Sequence, residues 1–160
     1  MITVLCFGNE WHGDDGFGLA VYEELQQLEW PSSVNLYFCG TNSLMAWHQM
    51  KGASKVIIVD AEQAQSREDE IGSLNWRSPE ELIAASPRNL HDGGVEEMLR
   101  HQRIDLDNTH HSTLFTILTV NIETISAFSQ GLSPAIQRSV PDAVNQIVER
   151  IDNWEASYAC

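Results

Sequence analysis

The chain has 160 residues, enough for one domain with a single sizeable core, and an apolar fraction of 42% that is ordinary for a soluble globular protein. Nine Lys plus Arg stand against 23 Asp plus Glu, a net charge of −14. That surface disfavours nucleic acid and anionic membranes, whose affinity comes largely from Lys and Arg contacts to phosphate, and leaves room for a basic protein partner or a metal ion.

Ile2–Phe7 is an apolar run that reads as a buried strand. The loop Gly8-Asn9-Glu10-Trp11-His12-Gly13-Asp14-Asp15-Gly16-Phe17-Gly18 follows it, and helical spacing then runs through roughly 15–28. A glycine-rich turn between strand and helix ordinarily cradles phosphate on free N–H groups. Here two adjacent carboxylates repel phosphate and suit a divalent cation or a helix cap. The glycines let such a loop approach a peptide closely. Val34–Cys39 and Lys55–Val59 are the next strand patterns, with a helix over roughly 42–50 between them.

Residues 62–78 are polar and acidic, with a possible short strand in Gly72-Ser73-Leu74-Asn75-Trp76. Ser78-Pro79-Glu80-Glu81 has the pattern of a capping box with proline at the first helical position. Another helix is expected from about Asp92, with Val95, Met98 and Leu99 on its apolar side. Leu114–Ile122 is a further internal strand. The last segment places Ile136, Val140, Val144, Ile147, Val148 and Ile151 at largely helical spacing, and Pro141 is expected to split it into two helices. Alternating strands and helices predict an α/β fold in three layers, a mostly parallel twisted sheet of about five strands flanked by helices. No repeat or linker divides it, so 1–160 is expected to be one domain.

No run approaches the ~20 apolar residues of a membrane helix. The chain enters its first strand without a basic leader or cleavage site, and a cytoplasmic protein is expected. Cys6, Cys39 and Cys160 form neither a metal spacing nor an even disulfide set. Cys6 and Cys39 lie in strand patterns and are expected as buried free thiols.

In an open parallel sheet, ligands bind beyond the carboxyl ends of the strands. Asp14 and Asp15 fall there after the first strand, and Asp60 ends the Val56–Val59 run. If those strands are neighbours, ~4.8 Å apart, Asp15 and Asp60 can share a cation. His12, His48, His91, His101, His110 and His111 compete as a third ligand. Successive side chains on a strand point oppositely, which argues against joint chelation by His110 and His111. The spacing does not choose among the rest.

Five blocks in order make the chain resemble the [NiFe]-hydrogenase maturation endopeptidases, which trim the C-terminal extension of a hydrogenase large-subunit precursor. They are Gly8-Asn9 with Gly13-Asp14-Asp15-Gly16-Phe17-Gly18; Gly40-Thr41; Val56-Ile57-Ile58-Val59-Asp60-Ala61; Leu90-His91 with Gly94-Val95 and Met98-Leu99; and Leu132-Ser133-Pro134. The resemblance implies that Asp15, Asp60 and His91 are the metal ligands and the catalytic set. Thr109-His110 precedes a roughly similar apolar pattern and keeps His110 open as the alternative. The implied metal is nickel borne by the precursor, for which other divalent ions can substitute. The implied partner is that precursor, and the implied oligomeric state is a monomer.

Two carboxylates and an imidazole form an O/N set suited to a borderline divalent ion, with open positions for substrate. A non-catalytic metal-sensing assembly chaperone and a nucleotide- or phosphate-binding module are the rival functions. Glu10-Trp11-His12 departs from the proline–aliphatic sequence usual in the family, and Arg67-Glu68-Asp69-Glu70 is an acidic insertion. Both departures bear on which hydrogenase is recognised.

Overall fold

A computed structural model describes residues 1–85, 94–99, 113–125 and 128–157. In chain order its elements are β1 (Ile2–Phe7), a 3-10 turn (Gly13–Gly16), α1 (Phe17–Leu25), β2 (Val34–Gly40), α2 (Ser43–Gln49), β3 (Lys55–Gln63), β4 (Leu74–Arg77), α3 (Pro79–Ala85), β5 (Leu114–Ile122) and α4 (Pro134–Ala156). Residues 95–99 add a short helical stretch between α3 and β5.

The strands form one five-stranded sheet in the order β2-β1-β3-β5-β4. The first four are mutually parallel, and β4 runs antiparallel along β5. Strand alternation sorts the core into two layers. Val4, Cys6, Ile57, Val59, Leu118 and Val120 face α1 and α4, where they meet Phe17, Val21, Leu25, Ile136, Ala143 and Ile147. Leu5, Phe7, Val56, Ile58 and Ile117 face the other way, against Ala46 of α2 and Val95, Met98 and Leu99. Burial of β1 and of Val56–Val59 on both faces explains why they read as unbroken apolar runs.

Local signals account for several boundaries. Asn42 caps α2 by accepting from Met45 N–H at 2.9 Å. Ser78 and Glu81 close the expected reciprocal box, Ser78 N–H to Glu81 Oε2 at 2.7 Å and Glu81 N–H to Ser78 Oγ at 3.2 Å. The expected start of a helix near Asp92 lies outside the described residues.

Two expectations are corrected. Pro141 does not split the last segment, because α4 runs unbroken through it for 23 residues. The ring sits on the exposed side, as does Gln137, whose carbonyl it deprives of a helical N–H. Meanwhile Ile136, Val140, Ala143, Ile147 and Ile151 stay buried along one stripe on both sides of the proline. Packing of that stripe outweighs one lost hydrogen bond. The second correction concerns Asp60, which does not end its strand. β3 continues to Gln63 because β5 pairs with it through Gln63–Ile122, whereas the β1 ladder stops at Cys6–Val59. Asp60 therefore lies one residue past the point where β1 leaves β3.

Candidate active site at the carboxyl edge of the sheet

The chain passes from β1 to β2 on one side and returns to β3 on the other, so the connections diverge between β1 and β3. A crevice opens at such a switch point, outside the carboxyl ends of the strands. The loop leaving β1 brings Asp14 and Asp15 to its rim, and β3 places Asp60 beside it.

Two glycines of this loop are required by its own packing. Gly8 has φ +141°, and a Cβ there would lie 2.1 Å from the Asp15 carbonyl oxygen. A Cβ on Gly18 would lie 1.8 Å from the Phe7 carbonyl oxygen, so only glycine lets α1 start against the end of β1. Asn9 N–H donates to both the Asp15 carbonyl and Asp15 Oδ2, each at 3.1 Å. Asn9 Oδ1 in turn accepts from Trp11 N–H at 3.0 Å. The Asp15 carboxylate is thus tied back into its own loop and does not cap α1, whose N-cap is Gly16.

Asp14 has a different task from its neighbour. Its Oδ1 accepts from Ser133 N–H at 2.6 Å, joining the loop to the residue that precedes α4. The sequence left the adjacent pair as cation ligands or helix caps, but this bond spans 119 positions and local pattern carries no trace of it. It also gives the Leu132-Ser133-Pro134 segment a role as a brace of the acidic loop.

Asp60 is the most perturbed acid of the site. Removal from water, followed by the nearby negative charge of Asp15, pushes its carboxyl up to about 8. A hydrogen bond from Ala61 N–H to Asp60 Oδ1 at 2.8 Å works against that rise. Glu62 and Glu96 add further negative charge. Asp15 is raised as well, chiefly by desolvation, with the Asn9 bond and His12 opposing. The charge of Asp15 thus acts on Asp60, and the two resist sharing two negative charges in the absence of a cation.

His91, His101, His110 and His111 lie outside the described residues. His48 packs edge-on against Trp47 on α2 with ring centroids 5.0 Å apart. Among the described residues no three His, Cys, Asp or Glu side chains converge as a metal site. The segment after His91 does reach the crevice. Glu96 raises Asp60, and Glu97 accepts from Ser43 Oγ at 2.9 Å.

Sequence reading missed Glu62 and Glu96 as charges acting on Asp60. Glu62 could have been found, since residues two apart on a strand share a face. It is held there by Thr119 Oγ1, donating at 2.9 Å, and by Arg77 at 3.3 Å. Glu96 has no local signal.

Cys6 and Cys39 are buried free thiols, as expected. Burial pushes the Cys39 thiol up to about 12, and Cys6 is raised further by burial and the nearby Cys39 and Asp60. Neither is a ready nucleophile.

Comparison with known proteins bears on the fold and the family. The hydrogenase expression/formation protein HoxM of Cupriavidus necator is 23% identical over 155 residues, covering 96% of this chain and 75% of that protein. Its counterpart HupD of Thiocapsa roseopersicina is 25% identical over 150 residues, covering 92% and 66%. The fold is that of the hydrogenase maturating endopeptidase HybD from E. coli, with a TM-score of 0.78 at 22% identity over 95% of this chain and 92% of that one. The HybD protease from Thermococcus kodakarensis gives 0.72 at 20% identity over 94% and 97%. A family model described as hydrogenase maturation protease matches residues 19–150. Over most of its length, then, this chain belongs to the hydrogenase maturation protease family.

Proposed function

We propose that this chain is the endopeptidase that removes the C-terminal extension of a [NiFe]-hydrogenase large-subunit precursor, and that it reads the precursor's nickel through Asp15, Asp60 and His91. One observation carries the reading. Asp15 lies near enough to Asp60 at the switch point of the sheet for its charge to act there, and Glu96, five positions after His91, acts on Asp60 as well.

The chemistry follows from the charges. Two desolvated carboxylates in mutual repulsion form a site whose occupant should be positive. Substrate-borne nickel supplies that charge and can polarise the scissile carbonyl. The positive charge of nickel would favour the ionised form of Asp60, whose proton would pass to solvent water. A precursor without nickel leaves Asp60 protonated and the site without its cation, so loading is sensed before cleavage. Asp15, held by Asn9, keeps its oxygen at a fixed place on the rim. Asp14 positions the loop and takes no part in the reaction.

The same reading makes 1–160 one domain, acting as a monomer in the cytoplasm. Buried Cys6 and Cys39, both free thiols, fit that compartment.

Pure protein is mixed with nickel-loaded and nickel-free precursor, and the precursor's size is followed. Shortening of the loaded form alone is expected, and Asp15→Asn and His91→Ala should each slow it by about 10²-fold or more. Binding without shortening would make the chain a metal-sensing chaperone. Near wild-type processing by both variants would remove the site assignment. Processing by His91→Ala together with failure of His110→Ala would transfer the third ligand to His110.

A further inference from the structure

Two large aromatic side chains stand in water beside the acidic loop. Phe128 is 95% exposed and Trp11 is 55% exposed. Phe128 also has φ +60°, a left-handed conformation that a bulky L-residue holds only under strain. Neither the exposure nor the strain helps the chain to fold.

The pair is nonetheless fixed in place. Ser129 N–H donates to the Trp11 carbonyl at 3.0 Å, and Gly13 N–H donates to the Ser129 carbonyl at 2.6 Å. These bonds make a short parallel bridge between His12 and Ser129, which sets Trp11 and Phe128 side by side along the backbone. The next link is the bond from Ser133 N–H to Asp14. The patch is thus built onto the loop that carries Asp15. Behind it a groove runs between the loop, α1 and the start of α4, with Glu10, Glu23, Glu24, Leu19 and Leu132 in its walls.

We propose that Trp11 and Phe128, with the acidic groove behind them, dock a segment of the precursor that carries an apolar side chain flanked by Lys or Arg. The proposal rests on the protease reading and names how that site holds its partner. Place and charge select the occupant. Ring faces accept an apolar side chain or the face of an Arg. Three glutamates on a chain of net charge −14 favour a basic segment and speed its encounter. Because the patch and Asp15 share one braced loop, a segment docked here is held at a set distance from the crevice. Exposed strain at Phe128 is then explained as a contact that is satisfied only in the complex.

The test measures the affinity of purified nickel-loaded precursor for wild type, for Trp11→Ser/Phe128→Asn and for Glu23→Lys/Glu24→Lys, alongside KM and kcat. Asparagine tolerates the left-handed conformation, so the aromatic double variant should melt no lower than wild type. The dissociation constant and KM are expected to rise about tenfold in each double variant, with kcat within about twofold. Wild-type affinity should also fall with added salt.

Unchanged affinity in both double variants overturns the proposal. So does a wild-type dimer that the aromatic double variant converts to monomer, which would assign the patch to a second copy of this chain. Binding and cleavage separate the two readings. Tight, patch-dependent binding without cleavage defeats the protease assignment and leaves the docking surface standing.

Discussion

Asp60→Asn is expected to abolish processing and, in the metal-free protein, to raise stability at pH 8. Its carboxyl sits between the end of the β1 ladder and the charge of Asp15, and is raised from 3.8 to about 8. A carboxyl raised in this way binds its proton more tightly in the folded chain than in the unfolded one. Stability is therefore fully present below about pH 4 and is lost progressively as pH rises towards 8. At pH 8 the accumulated loss is on the order of a few kcal/mol.

Asparagine keeps the shape and the bond from Ala61 N–H, but never ionises. The variant's melting temperature should exceed wild type by about 5–10 °C at pH 8 and match it near pH 4. Processing should fall by about 10²-fold or more across that whole range. Thermal melts at several pH values with parallel cleavage assays decide it. A variant less stable than wild type at pH 8 would mean that the carboxylate is not a source of repulsion in the folded chain.

Gly18→Ala should have the largest effect on folding. The added Cβ would lie 1.8 Å from the Phe7 carbonyl oxygen, and the obstacle is backbone, which no rotamer change can move. Relief requires shifting the start of α1 away from β1, and with it Phe17 and Val21, which anchor one core layer. A loss of about 3 kcal/mol or more is expected, seen as a drop in denaturant midpoint or as insoluble protein. Gly40 supplies the control. It has φ +57°, but its Cβ would meet nothing within 4 Å, so Gly40→Asn should lose no more than about 1 kcal/mol. Equal effects at the two positions would show that the close approach of α1 to β1 is not what requires Gly18.

Which features were legible in the sequence follows from how local their causes are. β1 and the first half of β3 are apolar on both faces, so their runs announce buried strands directly. The capping box at Ser78 and the cap at Asn42 close within three residues, and local pattern suffices for both. The true end of β3 depends on β5, whose partner residues lie some sixty positions away. Pro141 misleads because its effect is local while the forces that override it are spread along a buried stripe of α4.

The site divides in the same way. Asp15 and Asp60 were candidates from their places after two strands, and the sheet order makes those strands neighbours. That Asp14 holds Ser133 while Asp15 holds Asn9 is invisible in an adjacent pair of identical residues. The charge of Glu96 on Asp60 arises only once residues 94–99 pack against the sheet.

The central claim is that this chain adds its own side chains to nickel that the precursor already holds. X-ray absorption at the nickel edge tests it most directly, comparing loaded precursor alone with the same precursor bound to wild type and to an Asp15→Asn/Asp60→Asn variant. The account predicts that binding wild type adds oxygen and nitrogen scatterers at about 2.0–2.2 Å and that the double variant fails to supply the oxygens. A nickel shell that stays the same when wild-type protein binds and cleaves the precursor would contradict it.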